Sequence, residues 1–430
     1  MTARLKRLCT GVALLLYVGC ADEDPSLPCN IAERACQRVV FRATAEVRGQ
    51  TGAKLPAVRV ISRDQLEAEL RAAFEFQSDT RDETQIRRDE QGQRALSLFG
   101  LLPPPSEQSA DDAYIEQSVA TIAAYYSHGS KDITIIADQT RDAGDATVTL
   151  AHEFVHSLQD QRDGLSGLRE RYVETTDDDV ALTSLVEGEA TWLSYATFFQ
   201  AVDGRAPDEI NHPRLFFEIL RNTLSDIDES SAPLIDAAEL LPYPVGGARV
   251  AQLHVEEGPA SIEALFDQPP LALRWWTLDA PAGLPFDLEC DLPPAPEGYE
   301  RFDEDRLGFG GLLAYHAAQG DNGMLAFNAA QSWRADQLAT YGALDDSQRV
   351  AVAWRLTLAS EIDATNLARL AVASGVAGSV QGRSVLLTAA SDAALLDAWK
   401  PSEGCPAFPK SRAKTPGILA RLKRRLKLTR

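Results

Sequence analysis

The sequence predicts a predominantly helical α+β protein with a small mixed sheet and a helical C-terminal half. Three observations lead to this fold class. Apolar residues recur at helical spacing around positions 150 and 190, and short β-branched runs before position 140 predict strands. Stretches rich in Ala and Leu after position 300 predict further helices. With 430 residues and 45% hydrophobic content, the chain can bury a sizeable core.

The first twenty residues are typical of a targeting segment. Arg4, Lys6 and Arg7 precede an apolar stretch at 11–18 that is too short to span a bilayer. Residues 17–20 resemble a lipoprotein signal, which implies that Cys20 carries a lipid and anchors the protein in a membrane of the cell envelope. The alternative is ordinary signal cleavage nearby, which would release a secreted or periplasmic protein.

Four cysteines lie beyond the targeting segment, an even number that suits an oxidising compartment. They allow three pairings, of which Cys29 with Cys36 and Cys290 with Cys405 is the most economical. Residues 21–38 are predicted to form a tether between membrane and folded body, because their first part is polar, acidic and contains proline.

The elements before position 140 follow from local patterns. Residues 39–47 fit either a helix or a strand, and the β-branched run at 56–61 predicts a strand. A capping box at 62–65 opens a helix that extends to about residue 76, and a charged helix follows over 83–99. Residues 125–137 are predicted to form a hairpin. In the second half, helices are predicted over four stretches: 307–318, 325–341, 345–373 and 391–399.

The motif His152-Glu153-x-x-His156 lies in an apolar helical stretch. On a helix of 3.6 residues per turn, the two imidazoles share one face and can converge on one metal ion. Glu153 is rotated by about 100° from His152, so it can hold a water molecule without binding the metal itself. Burying these groups without partners would be costly, and a metal removes that cost. The alternative is that ordinary histidines meet a glutamate by accident.

A catalytic zinc usually has three protein ligands, so a third is required. A second buried helix at 181–193 carries Glu187 and Glu189, and the acidic run at 177–179 suits its N-terminus. The two glutamates are two positions apart and face different directions, so at most one can reach the metal. Gly188 is costly inside a helix and indicates that another backbone approaches closely.

The motif and the later Glu187-Gly188 pair together resemble the gluzincins, the thermolysin-like and leukotriene-hydrolase-like zinc peptidases. In that family a glutamate on a later helix completes the site, and the glutamate before the glycine is the ligand. The resemblance implies a zincin fold with a thermolysin-like catalytic core over 39–265. It also implies one Zn²⁺ held by His152, His156 and Glu187.

A further segment, Pro242-Tyr-Pro-Val-Gly246, is similar to the Pro-Tyr-x-x-Gly segment of the aminopeptidase-like gluzincins. The similarity implies that the Tyr243 hydroxyl stabilises the oxyanion formed during catalysis. Val245 stands where the family usually has lysine, and Thr191 stands where thermolysin-like enzymes have aspartate. A rigid Pro-Tyr-Pro loop is the alternative for Tyr243. The hairpin at 125–137 is the expected counterpart of the exposed edge strand along which peptides pair.

The chain is acidic, with a formal net charge of −21. Residues 410–430 form a basic tail without any acidic residue, so the rest of the chain is more acidic still. This charge argues against nucleic-acid binding. The tail has apolar residues at helical spacing and can lie on an anionic membrane surface; the alternative is a solvated basic end. The helical region at 266–409 is expected to contribute packing and no chemistry.

The sequence thus predicts a zinc-dependent metallopeptidase that acts on peptides or proteins in the envelope or outside the cell. Zinc lowers the pKa of a water molecule, and Glu153 takes its proton and passes it to the leaving amine. Two alternatives remain open. One is a non-catalytic zincin-fold envelope lipoprotein that serves as a binding module, and the other is a helical lipoprotein with an accidental motif.

Overall fold

The computed structural model describes residues 24–399 except positions 51, 81 and 347 and residues 106–109, 138–141, 285–287 and 289–291. The helices are α1 Arg34–Arg48, α2 Arg63–Thr80, α3 Glu83–Ser97, α4 Ala110–Thr121, α5 Ala143–Asp163, α6 Leu165–Tyr172, α7 Thr176–Asp203, α8 His212–Asp228, α9 Pro233–Leu240, α10 Gly247–Glu257, α11 Pro259–Asp267, α12 Leu273–Trp276, α13 Gly308–Ala318, α14 Gly323–Ala330, α15 Glu361–Ala373 and α16 Ala393–Ala398. The strands are β1 Ala57–Ile61, β2 Ala124–Ser127, β3 Asp132–Ile136, β4 Tyr299–Asp305, β5 Trp333–Ala343, β6 Val350–Leu358, β7 Ala377–Gln381 and β8 Ser384–Ala390.

A three-stranded mixed sheet forms in the first half of the chain, in the order β1-β3-β2. Strand β1 runs parallel to β3, with Ala57 opposite Asp132, whereas β2 pairs with β3 antiparallel as a hairpin. This confirms the α+β class, the small mixed sheet and the predicted hairpin. Among the described strands β2 pairs with β3 alone, so it lies at the edge of the sheet.

The C-terminal half is not helical throughout, and this prediction was wrong. Five antiparallel strands form a second sheet in the order β4-β5-β6-β8-β7. The stretch predicted as one helix over 325–341 is α14 followed by β5, and 345–373 is β6 followed by α15. The error has a physical cause: every residue of β6 is buried, because both faces of the strand are covered. A continuous apolar run lacks the alternation that distinguishes a strand from a buried helix.

The N-terminal region folds into the body of the protein earlier than predicted. Helix α1 begins at Arg34 and settles the helix-or-strand alternative for residues 39–47 in favour of helix. The tether predicted over 21–38 is therefore wrong for its last five residues, and Cys36 is fully buried. The predicted disulfide between Cys29 and Cys36 is confirmed, and it fixes the first turn of α1 to the preceding loop.

Two long helices, α5 and α7, pack against each other and carry the sequence motifs. The side chain of Asp142 caps the start of α5 by accepting hydrogen bonds from the next turn, and Gly164 ends this helix in the left-handed conformation. Thr175 and Asp178 form a capping box at the start of α7. The acidic run at 177–179 therefore lies in the first turn of a helix, as predicted.

A buried polar junction joins the start of α7 to the second half of the chain. Asp177 accepts a hydrogen bond from the Leu273 backbone N–H at 3.0 Å and pairs with the Arg306 guanidinium at 3.2 Å. Asp305 accepts from the Thr176 backbone N–H at 2.8 Å. Burial raises the pKa of Asp177 to about 7, although the Arg306 charge works in the opposite direction.

Several predictions fall outside the described residues: the targeting segment, lipidation of Cys20, the Cys290–Cys405 disulfide and the basic tail at 410–430. In the part of the chain that the structure describes, no helix has the length and hydrophobicity needed to cross a bilayer.

Candidate metal centre

The motif helix α5 brings His152 and His156 together on one face, as the spacing predicts. Their Nε2 atoms lie 3.0 Å apart, and the ring centroids are separated by 4.7 Å. Both nitrogens face α7. Helical periodicity alone is sufficient to explain this part of the geometry.

Glu187 of α7 completes a three-atom cluster. Its Oε2 lies 3.1 Å from His152 Nε2 and 3.4 Å from His156 Nε2. A tetrahedral zinc ion with bonds of about 2.0–2.1 Å places its ligand atoms about 3.4 Å apart. The three separations therefore suit a small cation bound between two imidazoles and a carboxylate, which is a donor set typical of catalytic zinc. Among the described residues, His152, His156 and Glu187 are the one set of three or more His, Cys, Asp or Glu side chains close enough together to hold a metal ion.

The electrostatics of the cluster favour a cation. Burial alone would raise the pKa of Glu187, but His156 and the hydrogen bond from His152 hold that pKa well below its usual range. Burial alone would lower the pKa of His156, but the Glu187 charge and its hydrogen bond raise it to about 9. The carboxylate thus attracts positive charge to this point of the molecule. A divalent cation can supply that charge and displace protons from the ligands.

Glu187 and Glu189 face different directions, as predicted. Arg48, at the end of α1, binds Glu189 through both carboxylate oxygens, with Nε–Oε1 at 3.1 Å and Nη2–Oε2 at 3.2 Å. Both side chains are buried. Only Glu187 therefore reaches the cluster.

Gly188 allows the segment that carries Tyr243 to approach α7. A Cβ at Gly188 would lie 2.4 Å from the carbonyl carbon of Gly246, and a Cβ at Gly246 would lie 2.0 Å from the Ser184 carbonyl oxygen. The predicted close approach of another backbone is thereby confirmed. Residues 242–246 form a π-helical turn at this contact.

Tyr243 lies beside the cluster of His152, His156 and Glu187. Its ring stacks on His152 with centroids 6.0 Å apart and an interplanar angle of 23°. Val245, at the position where aminopeptidase-like gluzincins usually have lysine, is buried and contributes packing.

A cavity of about 980 Å³ opens over the cluster. The motif glutamate Glu153, only 7% exposed, lines this cavity together with Tyr243 and the three cluster residues. One wall is formed by residues 123–126, which include the start of edge strand β2. A water molecule, a reactive carboxylate and an extended chain can therefore share one compartment.

Thr191 and the remaining histidines do not join the cluster. Thr191 Oγ1 is buried without a hydrogen-bond partner among the described residues. His254 accepts a hydrogen bond from Trp192 Nε1 at 2.8 Å, and His316 pairs with Asp321.

The sequence did not reveal the contacts that Gln159 and Arg48 make around the cluster. Gln159 contacts the second motif histidine, and its position three residues after His156 on a helix is the signal that could have identified it. Arg48 offered no such signal, since 141 residues separate it from Glu189.

No protein-family model, curated protein or solved structure matches this chain. A functional interpretation therefore depends on the geometry of the cluster and on the residues that carry the resemblance to gluzincins.

Proposed function

We propose that this protein is a zinc-dependent peptidase of the gluzincin type. The observation that supports this most strongly is the convergence of His152, His156 and Glu187 at separations of 3.0–3.4 Å. Glu153 and Tyr243 line the same cavity. We extend the proposal to the fold: α5, α7 and the three-stranded sheet form a thermolysin-like catalytic core.

A zinc ion bound by these three residues would lower the pKa of a water molecule and polarise the substrate carbonyl. The chain itself supplies the proton transfers. Glu153 accepts the proton of the attacking water and later donates it to the leaving amine. The Tyr243 hydroxyl donates a hydrogen bond to the carbonyl oxygen as negative charge develops there.

Edge strand β2 supports a peptide as the substrate. It pairs with β3 alone among the described strands, and its residues Ala124, Tyr125 and Tyr126 line the cavity. An extended peptide can add to such an edge through main-chain hydrogen bonds, which would hold its scissile bond near the cluster. Membrane attachment through a lipid on Cys20, at the cell envelope, is part of the same proposal.

The test combines metal content with one conservative substitution. Elemental analysis of the purified protein should give one zinc per chain, and His152→Ala and Glu187→Ala should each weaken or abolish zinc binding. Glu153→Gln should retain zinc but lose about 10²–10⁴-fold in hydrolysis of a fluorescence-quenched peptide library, because no general base remains. Glu170→Gln is the matched control, since Glu170 also lines the cavity but is exposed.

Three results would contradict the proposal. A wild-type protein that binds no zinc after reconstitution has no metal centre. A zinc-loaded Glu153→Gln variant that hydrolyses peptides at the wild-type rate would exclude this glutamate as the base. A zinc-loaded wild type that cleaves nothing would instead favour a binding module of the same fold.

A further inference from the structure

A buried glutamine contacts the side of His156 that faces away from the cluster. His156 Nδ1 lies 2.9 Å from Gln159 Oε1. The amide nitrogen of Gln159 lies 2.9 Å from the Val186 carbonyl oxygen and 2.9 Å from Glu189 Oε2. Gln159 is fully buried, so these partners must satisfy its hydrogen bonds.

The partners of Gln159 fix the orientation of its amide. The Val186 carbonyl and the Glu189 carboxylate are both acceptors, and an amide NH₂ group has two N–H donors to offer. The nitrogen therefore faces these two oxygens, and the amide oxygen must face His156. As this oxygen can only accept, His156 Nδ1 carries the proton and donates it.

The tautomer of His156 follows from this hydrogen bond. A metal binds the neutral form of imidazole, which has one N–H donor and one nitrogen with a free lone pair. With the proton on Nδ1, the lone pair lies on Nε2, the atom that is 3.4 Å from Glu187 Oε2. Gln159 thus orients the ring and directs its lone pair towards the cluster.

Arg48 holds the far end of this chain of contacts. It binds both oxygens of Glu189 in a charge-assisted pair, and the two side chains are only 4% and 6% exposed. The carboxylate is therefore fixed where it accepts the Gln159 amide. Helix α5 contributes His156 and Gln159 to this chain of contacts, α7 contributes Glu189, and α1 contributes Arg48.

We propose that Gln159, fixed by Glu189 and Arg48, is the positioning residue that sets the tautomer and orientation of His156. This inference rests on the proposed zinc site. Thr191 does not provide comparable support, because its hydroxyl oxygen has no hydrogen-bond partner among the described side chains and backbone.

The experiment compares two glutamines of the same helix. Gln159→Leu removes the acceptor and both donors, whereas Gln161→Leu is the matched control. Gln161 hydrogen-bonds the Lys54 backbone at 2.8 and 2.9 Å and Ser157 Oγ at 3.1 Å, and it contacts no cluster residue. Zinc dissociation constants are measured by competition with a chromophoric chelator, and thermal unfolding verifies that each variant is folded. Gln159→Met is the substitute if the leucine variant does not fold.

A second readout observes the Nδ1 proton of His156 directly. In ¹H–¹⁵N spectra of the zinc-loaded wild-type protein, in which the ring is neutral and Nε2 faces the metal, the Nδ1-bound proton of His156 should be visible and slow to exchange. It should be lost in Gln159→Leu and retained in Gln161→Leu. General destabilisation of the fold would not distinguish the two variants in this way.

The expected result is a 10–100-fold weaker zinc affinity in Gln159→Leu, the range typical of lost support to a ligating histidine, with less than about a twofold change in Gln161→Leu. Equal zinc affinity in wild type and Gln159→Leu would overturn the inference and leave the zinc site intact. Absence of the Nδ1 proton in the zinc-loaded wild type would overturn it as well. A wild type that binds no zinc would instead refute the proposed function.

Discussion

Replacement of Gly188 by alanine tests whether the contact between α7 and residues 242–246 is as close as the structure indicates. The new methyl group would lie 2.4 Å from the Gly246 carbonyl carbon and 2.8 Å from the Gly247 nitrogen. Carbon atoms in contact are normally about 3.5–4.0 Å apart, so the two backbones must separate by about 1 Å. No flexible side chain can move aside to relieve the overlap, because the atoms that it meets belong to backbone.

Two opposing terms set the magnitude. Alanine favours a helix interior over glycine by about 1 kcal/mol. Overpacking typically costs about 1–3 kcal/mol, and a rigid backbone contact belongs at the upper end of this range. We therefore expect Gly188→Ala to lower the free energy of unfolding by about 2 kcal/mol, net of the gain in helix propensity. Peptidase activity should fall by about 10²-fold, because a displacement of about 1 Å is enough to misplace Tyr243.

Urea unfolding followed by circular dichroism measures the stability, and Gly167→Ala in α6 is the control. A Cβ at Gly167 would meet only the flexible end of Arg171, at 3.4 Å, so this variant should gain stability from its helix propensity. If Gly188→Ala proved as stable as the wild type, the close contact of α7 with the turn would be refuted.

Two further substitutions address the oxyanion and the buried junction. Tyr243→Phe retains the ring that stacks on His152 but removes the hydroxyl, so we expect kcat to fall by about 10²–10³-fold with zinc affinity unchanged, measured by peptide hydrolysis and chelator competition; an unchanged kcat would exclude the hydroxyl. For Asp177, the unfolded carboxyl ionises near pH 4, whereas the folded pKa is raised to about 7. Between these values the unfolded state has released a proton that the folded state retains, so stability should fall as pH rises from about 4 to 7. Urea unfolding at pH 5 and pH 8 should show a smaller decline in Asp177→Asn than in wild type, and equal declines would count against a protonated Asp177.

The pair of histidines in the candidate metal centre was predictable because its information is local. His152 and His156 are four residues apart, and helical geometry alone places them on one face. The choice of Glu187 over Glu189 came from the resemblance to gluzincins, and the structure agrees with it. The cost of a glycine inside a helix correctly indicated that another backbone lies against Gly188.

The parts that sequence reasoning missed depend on distant contacts. Strands β5 and β6 are buried by elements from other parts of the chain, so their residues lack the alternation of a half-exposed strand. Gln159 is held by Glu189 on another helix, and the Glu189 partner of Arg48 lies 141 residues away along the chain. Periodicity within a short window contains no information about such contacts.

The contact between Arg48 and Glu189 also bears on the order of folding. It closes a chain separation of 141 residues, and Tyr243 joins the same centre from more than fifty residues further on. Contacts between residues this far apart in the chain form slowly, because the long intervening loop loses conformational entropy before the contact stabilises the fold. Helix α5 can acquire its shape early from local interactions, but the complete centre must await the docking of α1, α7 and the 242–246 turn. A chain that is still leaving the ribosome therefore contains the two motif histidines before the cluster with Glu187 has assembled.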